Sequence, residues 1–181
     1  MKKESTALYV LKLGLILLAI TAVVAGLLGG VNAITKDRIQ AINDQKVADA
    51  IAMVLDSGAQ PERIDAPDAP GEITNVYQMG DDGYAVELEV SGSQGTIDMM
   101  TGLRPDGEIT GISIVSHSET AGLGAVYAGD TDAGVAFRES FAGKSGTVAP
   151  ADVDYKSGAT VSADAICHGA SVASAYVASL G

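Results

Sequence analysis

The chain has 181 residues, of which 23 are acidic and 11 are basic, and its formal net charge is −12 at pH 7. Because nucleic-acid binding requires a basic surface, this charge excludes nucleic acid as a partner. One cysteine allows no internal disulfide, and the neighbouring Cys167 and His168 are too few for a metal site, so we predict no bound metal.

An uncharged, apolar segment lies between Lys12 and Lys36. A helix of this length can cross the roughly 30 Å hydrocarbon core of a bilayer, and we predict a tail over 1–12 and a transmembrane helix over 13–35. Basic residues before the segment place the N-terminus in the cytoplasm and the rest of the chain outside it. A cleaved signal peptide is the alternative, although such signals have shorter apolar cores. A pilin-like leader would need a processing site, and none is evident.

The segment from residue 36 to residue 80 is predicted to be a stalk helix followed by a loop. Apolar side chains recur at approximately helical spacing over 36–56, which indicates a helix that continues from or follows the membrane segment. Residues 57–71 are rich in proline, glycine and aspartate, a composition typical of a loop. We expect a compact domain over 81–181.

This domain is predicted to have an α+β fold, with helices packed on a mainly antiparallel sheet. Residues 84–90 alternate between apolar and polar side chains, 95–103 is a plausible partner strand, and 109–115 is rich in β-branched residues. Asp106 and Gly107 supply the turn between the second and third strands. A short helix is predicted over 135–141 and a longer one over 162–179, with Ser162 as its N-cap.

The sequence D-x-x-S-G-A-T occupies residues 154–160, just before the last predicted helix. A threonine hydroxyl can form a phosphoester, and small neighbours leave Thr160 accessible. Backbone N–H groups at a helix start favour a phosphate. The run resembles the acceptor site of membrane flavoproteins in which FMN is joined through its phosphate to threonine. These are the G subunit of the Rnf electron-transport complex and the C subunit of the sodium-translocating NADH:quinone reductase.

A second run, H-S-E-T-A-G-L-G at residues 117–124, resembles the H-x-E-T-P-G-L-G segment that forms a wall of the flavin pocket in the same families. Ala121 stands where those families usually have proline, which suggests a looser loop. His117 could instead be a loop histidine without a special role, and Tyr155 could pack the loop rather than contact the cofactor. The resemblance implies covalent FMN on Thr160 and further FMN-binding residues at Asp154, Ser157, Gly158, Ala159, His117, Glu119, Thr120, Gly122, Leu123 and Gly124.

The resemblance implies an electron-transfer component of an ion-translocating oxidoreductase complex (a translocase), with no catalytic residues of its own. Its partners would be the other membrane subunits, together with a flavin transferase that attaches the FMN. The short chain favours the Rnf complex over the quinone reductase. Two alternatives stay open: an extracytoplasmic flavoprotein that serves another electron-transfer route alone, and a membrane-anchored binding module without redox activity.

Overall fold

The structure is a computed structural model that describes residues 6–155 and 158–180. Its contacts divide the chain into one unit that ends at Gln45 and a second unit that begins at Lys46. Helix α1 spans Thr6–Val54. Its large apolar side chains between Leu8 and Ile34 are exposed. By length and composition this helix could cross a membrane, as expected from its charge-free apolar run.

The second unit is built on one antiparallel sheet of five strands in sequence order. The strands predicted from sequence are all present, and the turn at Asp106 and Gly107 joins the last two. Two strands that precede them were not predicted, and the first lies inside the segment that we expected to be a loop. The strands are β1 Glu62–Ile64, β2 Ile73–Gln78, β3 Tyr84–Ser91, β4 Thr96–Leu103 and β5 Ile109–His117.

Four helical segments follow the sheet, and with it they confirm the α+β fold. The short helix begins earlier than predicted because the Thr131 side chain accepts a hydrogen bond from the backbone N–H of Gly134 and caps it. The prediction that Ser162 caps the last helix was wrong, because the helix already begins at Thr160. The segments are α2 Ala125–Ala128, α3 Asp132–Glu139, a 3-10 turn Pro150–Asp152 and α4 Thr160–Ala178.

Both faces of the sheet are covered. On one face, α2, α3 and α4 enclose a core that includes the fully buried Phe137, Phe141 and Ile166. On the other face, the end of α1 packs through Ile51 and Val54 against apolar residues of the sheet. These last turns of α1 therefore belong to the folded unit rather than to a free stalk. Residues 117–124 begin at the end of β5 and Thr160 begins α4, so both motifs lie at the ends of elements rather than in the middle of the sheet.

Candidate cofactor site

Thr160 is the first residue of α4 and is exposed to solvent. Its Oγ1 lies 2.5 Å from the hydroxyl of Tyr155 in a side-chain hydrogen bond. We expected the threonine to precede the helix, but it lies within the first turn. Its side chain is therefore carried by a regular helix, and its hydroxyl can be reached from solvent.

Among the described residues, the start of α4 has no side-chain cap. Its N-cap is Ala159, which offers no side-chain acceptor, and no acidic residue lies in the first turn. The first N–H groups of a helix have no partner inside the helix, and the helix dipole gives this end a partial positive charge. A phosphate on Thr160 would meet these groups, so the residues present fit a phosphate-linked cofactor.

Gly158 is needed for its backbone conformation. Its φ is +128°, a region that residues with a side chain rarely adopt, whereas a Cβ built there would meet nothing within 4 Å. Asp154 is exposed, and its backbone N–H donates to the Ser140 hydroxyl at 3.0 Å. Ser157, another predicted site residue, lies outside the described residues.

Glu119 is a buried link between three parts of the domain, with only 8% of its surface exposed. One carboxylate oxygen accepts the hydroxyl of Ser162 at 2.5 Å, and the other accepts the backbone N–H of Gln94 at 3.0 Å. Burial acts to raise the pKa of Glu119, but the hydrogen bonds from Ser162 and from the β3–β4 turn outweigh it, and the pKa is lowered. The carboxylate therefore stays charged and joins this turn to the first turn of α4.

The loop after Glu119 is shaped by its backbone. The carbonyl oxygen of Thr120 accepts from the N–H groups of Leu123 and Ala125. Gly122, which lies between Thr120 and Leu123 in sequence, has a φ of +79°. A Cβ at Gly124 would collide with the Glu119 carboxylate and the Ser162 hydroxyl, so a glycine is required for this close contact. Leu123 is exposed at the tip of the loop.

His117 ends β5 and faces a different cleft from Tyr155. Its Nδ1 accepts the backbone N–H of Glu119 at 3.2 Å, which helps to start the loop. The side chain lines an open cleft of about 550 Å³ along β5, shared with Gly129 and Arg138. These contacts describe a loop-shaping histidine, and they do not bring His117 to Thr160.

Tyr155 lies at the end of a row of aromatic rings. Its ring centroid is 5.7 Å from that of Tyr127, and Tyr127 is 4.7 Å from Phe137. Tyr155 and Tyr127 also line a cleft of about 240 Å³ together with Val153, Asp154 and two alanines of α3. The sequence identifies Tyr155 as the aromatic nearest to Thr160 but carries no signal for the bond between their hydroxyls. It also gives no sign that Ser162 pairs with Glu119, because the two residues are 43 positions apart in sequence and Ser162 lies outside both motifs.

Comparison with known families agrees with this geometry. Residues 92–175 match the model of the FMN-binding domain, and this segment contains both motifs. Residues 1–54 match the model of the RnfG N-terminal region. The second unit thus carries an FMN-binding domain, which makes the chain a flavoprotein by class.

Two relatives cover most of the chain. The G subunit of the Na⁺-translocating ferredoxin:NAD⁺ oxidoreductase complex of Acetobacterium woodii is 36% identical in an alignment of length 152, and the match covers 75% of this chain and 70% of that protein. The G subunit of the ion-translocating oxidoreductase complex of Methanosarcina acetivorans is 31% identical in an alignment of length 159, and the match covers 83% of this chain and 85% of that protein. The chain belongs to the family of Rnf complex G subunits and is an electron-transport subunit.

Proposed function

We propose that the Thr160 hydroxyl carries FMN through a phosphoester and that the protein relays electrons through this flavin inside an ion-translocating complex. The observation that carries the proposal is the position of Thr160. It offers an exposed hydroxyl on the first residue of a helix whose start has no side-chain cap and no acidic residue in its first turn. Such a helix start favours the negative charge of a phosphodiester.

The surroundings of Thr160 are suited to the rest of the cofactor. Val161 and Leu123 are both exposed apolar side chains, and their neighbours Ser162 and Gly124 approach each other at Glu119. Exposed apolar side chains beside an exposed attachment residue give a flat aromatic ring a surface to cover. We assign binding roles around Thr160 to Asp154, Ser157, Gly158 and Ala159, and roles in the loop wall to His117, Glu119, Thr120, Gly122, Leu123 and Gly124.

A covalent link suits a protein that relays electrons, because the flavin stays bound while it is reduced and reoxidised. The bound flavin supplies reversible electron uptake and release, while the protein holds it in place and sets its environment. A phosphoester prevents loss of the cofactor, so retention does not depend on a deep pocket. We propose that the other subunits of the complex supply and accept the electrons, and that a flavin transferase performs the attachment.

The proposed orientation follows from the charges beside the apolar segment. Basic residues near the N-terminus are held in the cytoplasm, α1 crosses the membrane over 13–35, and 81–181 carries the flavin outside. Residues 36–45 would then serve as the stalk. A phosphatase that is active only outside the cytoplasm, fused after residue 181, tests the orientation. Strong activity is expected, and activity of a cytoplasmic reporter at the same place would reverse the proposed topology.

Attachment is tested by producing the full chain together with a flavin transferase and separating it on a denaturing gel. We expect a fluorescent band and an intact mass increased by that of FMN less one water. Thr160→Ala should lose both signals, while Thr96→Ala, an exposed threonine on β4, should keep them. If the wild-type chain stays dark and unmodified but binds FMN under native conditions, the covalent link is wrong and the flavoprotein assignment stands.

A further inference from the structure

We infer that Tyr155 is a positioning residue for flavin attachment, an inference that rests on the proposed function of Thr160. Its hydroxyl oxygen lies 2.5 Å from Oγ1 of Thr160, at the short end of the range for a bond between two hydroxyl groups. Thr160 is exposed, whereas Tyr155 is half-buried. The tyrosine is therefore the fixed partner, and the threonine is the group that it orients.

The ring of Tyr155 is held by the core. It packs against the ring of Tyr127, which is only 2% exposed and in turn contacts the fully buried Phe137. An exposed threonine in a helix divides its hydroxyl between two side-chain rotamers. A hydrogen bond to a fixed phenol selects one of them, so the nucleophilic oxygen is presented in one direction.

The phenol can serve the threonine before and after the reaction. Either hydroxyl can be the donor in this bond. In the direction that serves attachment, the Tyr155 hydroxyl donates to one lone pair of Oγ1, which leaves the second lone pair for attack on a flavin donor with a phosphoanhydride and the Thr160 proton for a base. The bond from Oγ1 to phosphorus then forms, the anhydride bond breaks, and the nucleoside monophosphate leaves with the electron pair. The threonine proton passes to a base of the transferase, and no electrons are exchanged.

After attachment, Oγ1 is an ester oxygen without a proton, so it can only accept. The Tyr155 hydroxyl can still donate to this oxygen or to the phosphate. Phenylalanine can do neither. The structure therefore assigns Tyr155 to orienting the free hydroxyl and to bonding the finished phosphoester.

The experiment compares the full wild-type chain with Tyr155→Phe, which keeps the ring and removes the hydroxyl. Loss of one hydrogen bond is expected to slow attachment about three- to tenfold at saturating flavin adenine dinucleotide, with an unchanged KM for that donor. In the attached protein, the ³¹P resonance of the flavin phosphate should shift. Tyr176→Phe is the matched control, since Tyr176 packs against the same core from the far end of α4 and should change neither readout.

Equal attachment rates and an unshifted ³¹P resonance in Tyr155→Phe would overturn the inference. If Tyr155→Phe is slow but also less stable, the ³¹P resonance of its attached fraction decides, because a purely structural role would leave that signal in place. A wild-type chain that accepts no flavin would refute the covalent link itself, which separates failure of the proposed function from failure of the role of Tyr155.

Discussion

The contact of Glu119 with Gly124 and Ser162 predicts a specific coupling between two substitutions. Glu119→Ala removes the acceptor of the Ser162 hydroxyl, which is only 1% exposed, and of the Gln94 N–H. A buried donor left without a partner costs about 1–3 kcal/mol. Since the Ser162 hydroxyl can turn toward another acceptor, we expect a total loss of about 2–4 kcal/mol in the free energy of unfolding.

Gly124→Ala tests the same contact from the other side. Gly124 has φ −57° and ψ −34°, which alanine adopts without strain, so the cost comes from the collision of the new Cβ with Glu119 and Ser162. We expect a loss of about 1–3 kcal/mol, as for overpacking of a filled core. In the double variant the carboxylate is gone, and the new methyl group meets only the Ser162 hydroxyl, which can then rotate away. The double loss should therefore be smaller than the sum of the single losses by at least about 1 kcal/mol.

Urea unfolding of the full chain in detergent, followed by the near-ultraviolet circular dichroism of its tyrosines, measures these losses, since the chain has no tryptophan. Glu119→Gln is the control, because it keeps the shape and one acceptor oxygen. The free energy of unfolding of Glu119→Gln should also fall less at acid pH than that of the wild type. The pKa of Glu119 is lowered from 4.5, so the wild-type contribution is complete above pH 4.5 and is lost as the pH falls below that value. Additive losses in the double variant would refute the proposed contact.

Three further predictions concern single positions. Burial and the neighbouring Glu87 and Glu89 raise the pKa of Asp98 from 3.8 to about 6, so its negative charge lowers the free energy of unfolding increasingly as the pH rises from 3.8 through about 6. After allowance for solvent screening, Asp98→Asn should add about 1 kcal/mol to the free energy of unfolding at pH 7. A gain at pH 7 no larger than the gain at pH 4 would contradict this prediction. Gly158→Ala should cost about 1–2 kcal/mol in urea unfolding because of its positive φ, and a neutral result would show that this turn is formed differently. Burial raises the pKa of the Cys167 thiol to about 12, so iodoacetamide should label it at pH 7 only after denaturation, as mass spectrometry can establish.

The strands that were predicted and those that were missed differ in how they are stabilised. Residues 84–90 alternate in polarity, and this pattern alone indicated a strand, although the burial of β3 alternates only from Leu88 to Ser91 because Ala85 and Glu87 are buried as well. Strand β1 has three residues and no buried side chain, and it is a strand because Arg63 pairs with Tyr77 of β2. A strand that forms by pairing with another strand needs no alternation of polar and apolar residues in its own sequence. The loop-like composition of residues 57–71 therefore gave no indication of β1.

The residues of the candidate site were predicted from the sequence, but the side-chain contacts between them were not. The resemblance of residues 154–160 and 117–124 to the motifs of membrane flavoproteins led to Thr160 and to the loop around Glu119. Small residues beside a threonine before a predicted helix agreed with a phosphate anchor. The direction of each side chain depends on the tertiary packing. Glu119 points inward to Ser162, and Tyr155 points to Thr160, and neither contact has a period or a composition by which it could be recognised.

The contact between Glu119 and Ser162 gives a physical reason why the two motifs occur together in one chain. Glu119 and Ser162 are 43 residues apart in sequence, yet their hydrogen bond joins the loop of residues 117–124 to the first turn of α4, which carries Thr160. A displacement of that loop would therefore move the helix start, and with it the hydroxyl that we propose as the flavin anchor. We therefore expect the conformation of residues 117–124 to affect the proposed attachment site even where these residues do not touch the cofactor, so Glu119→Ala should slow flavin attachment more than Glu119→Gln.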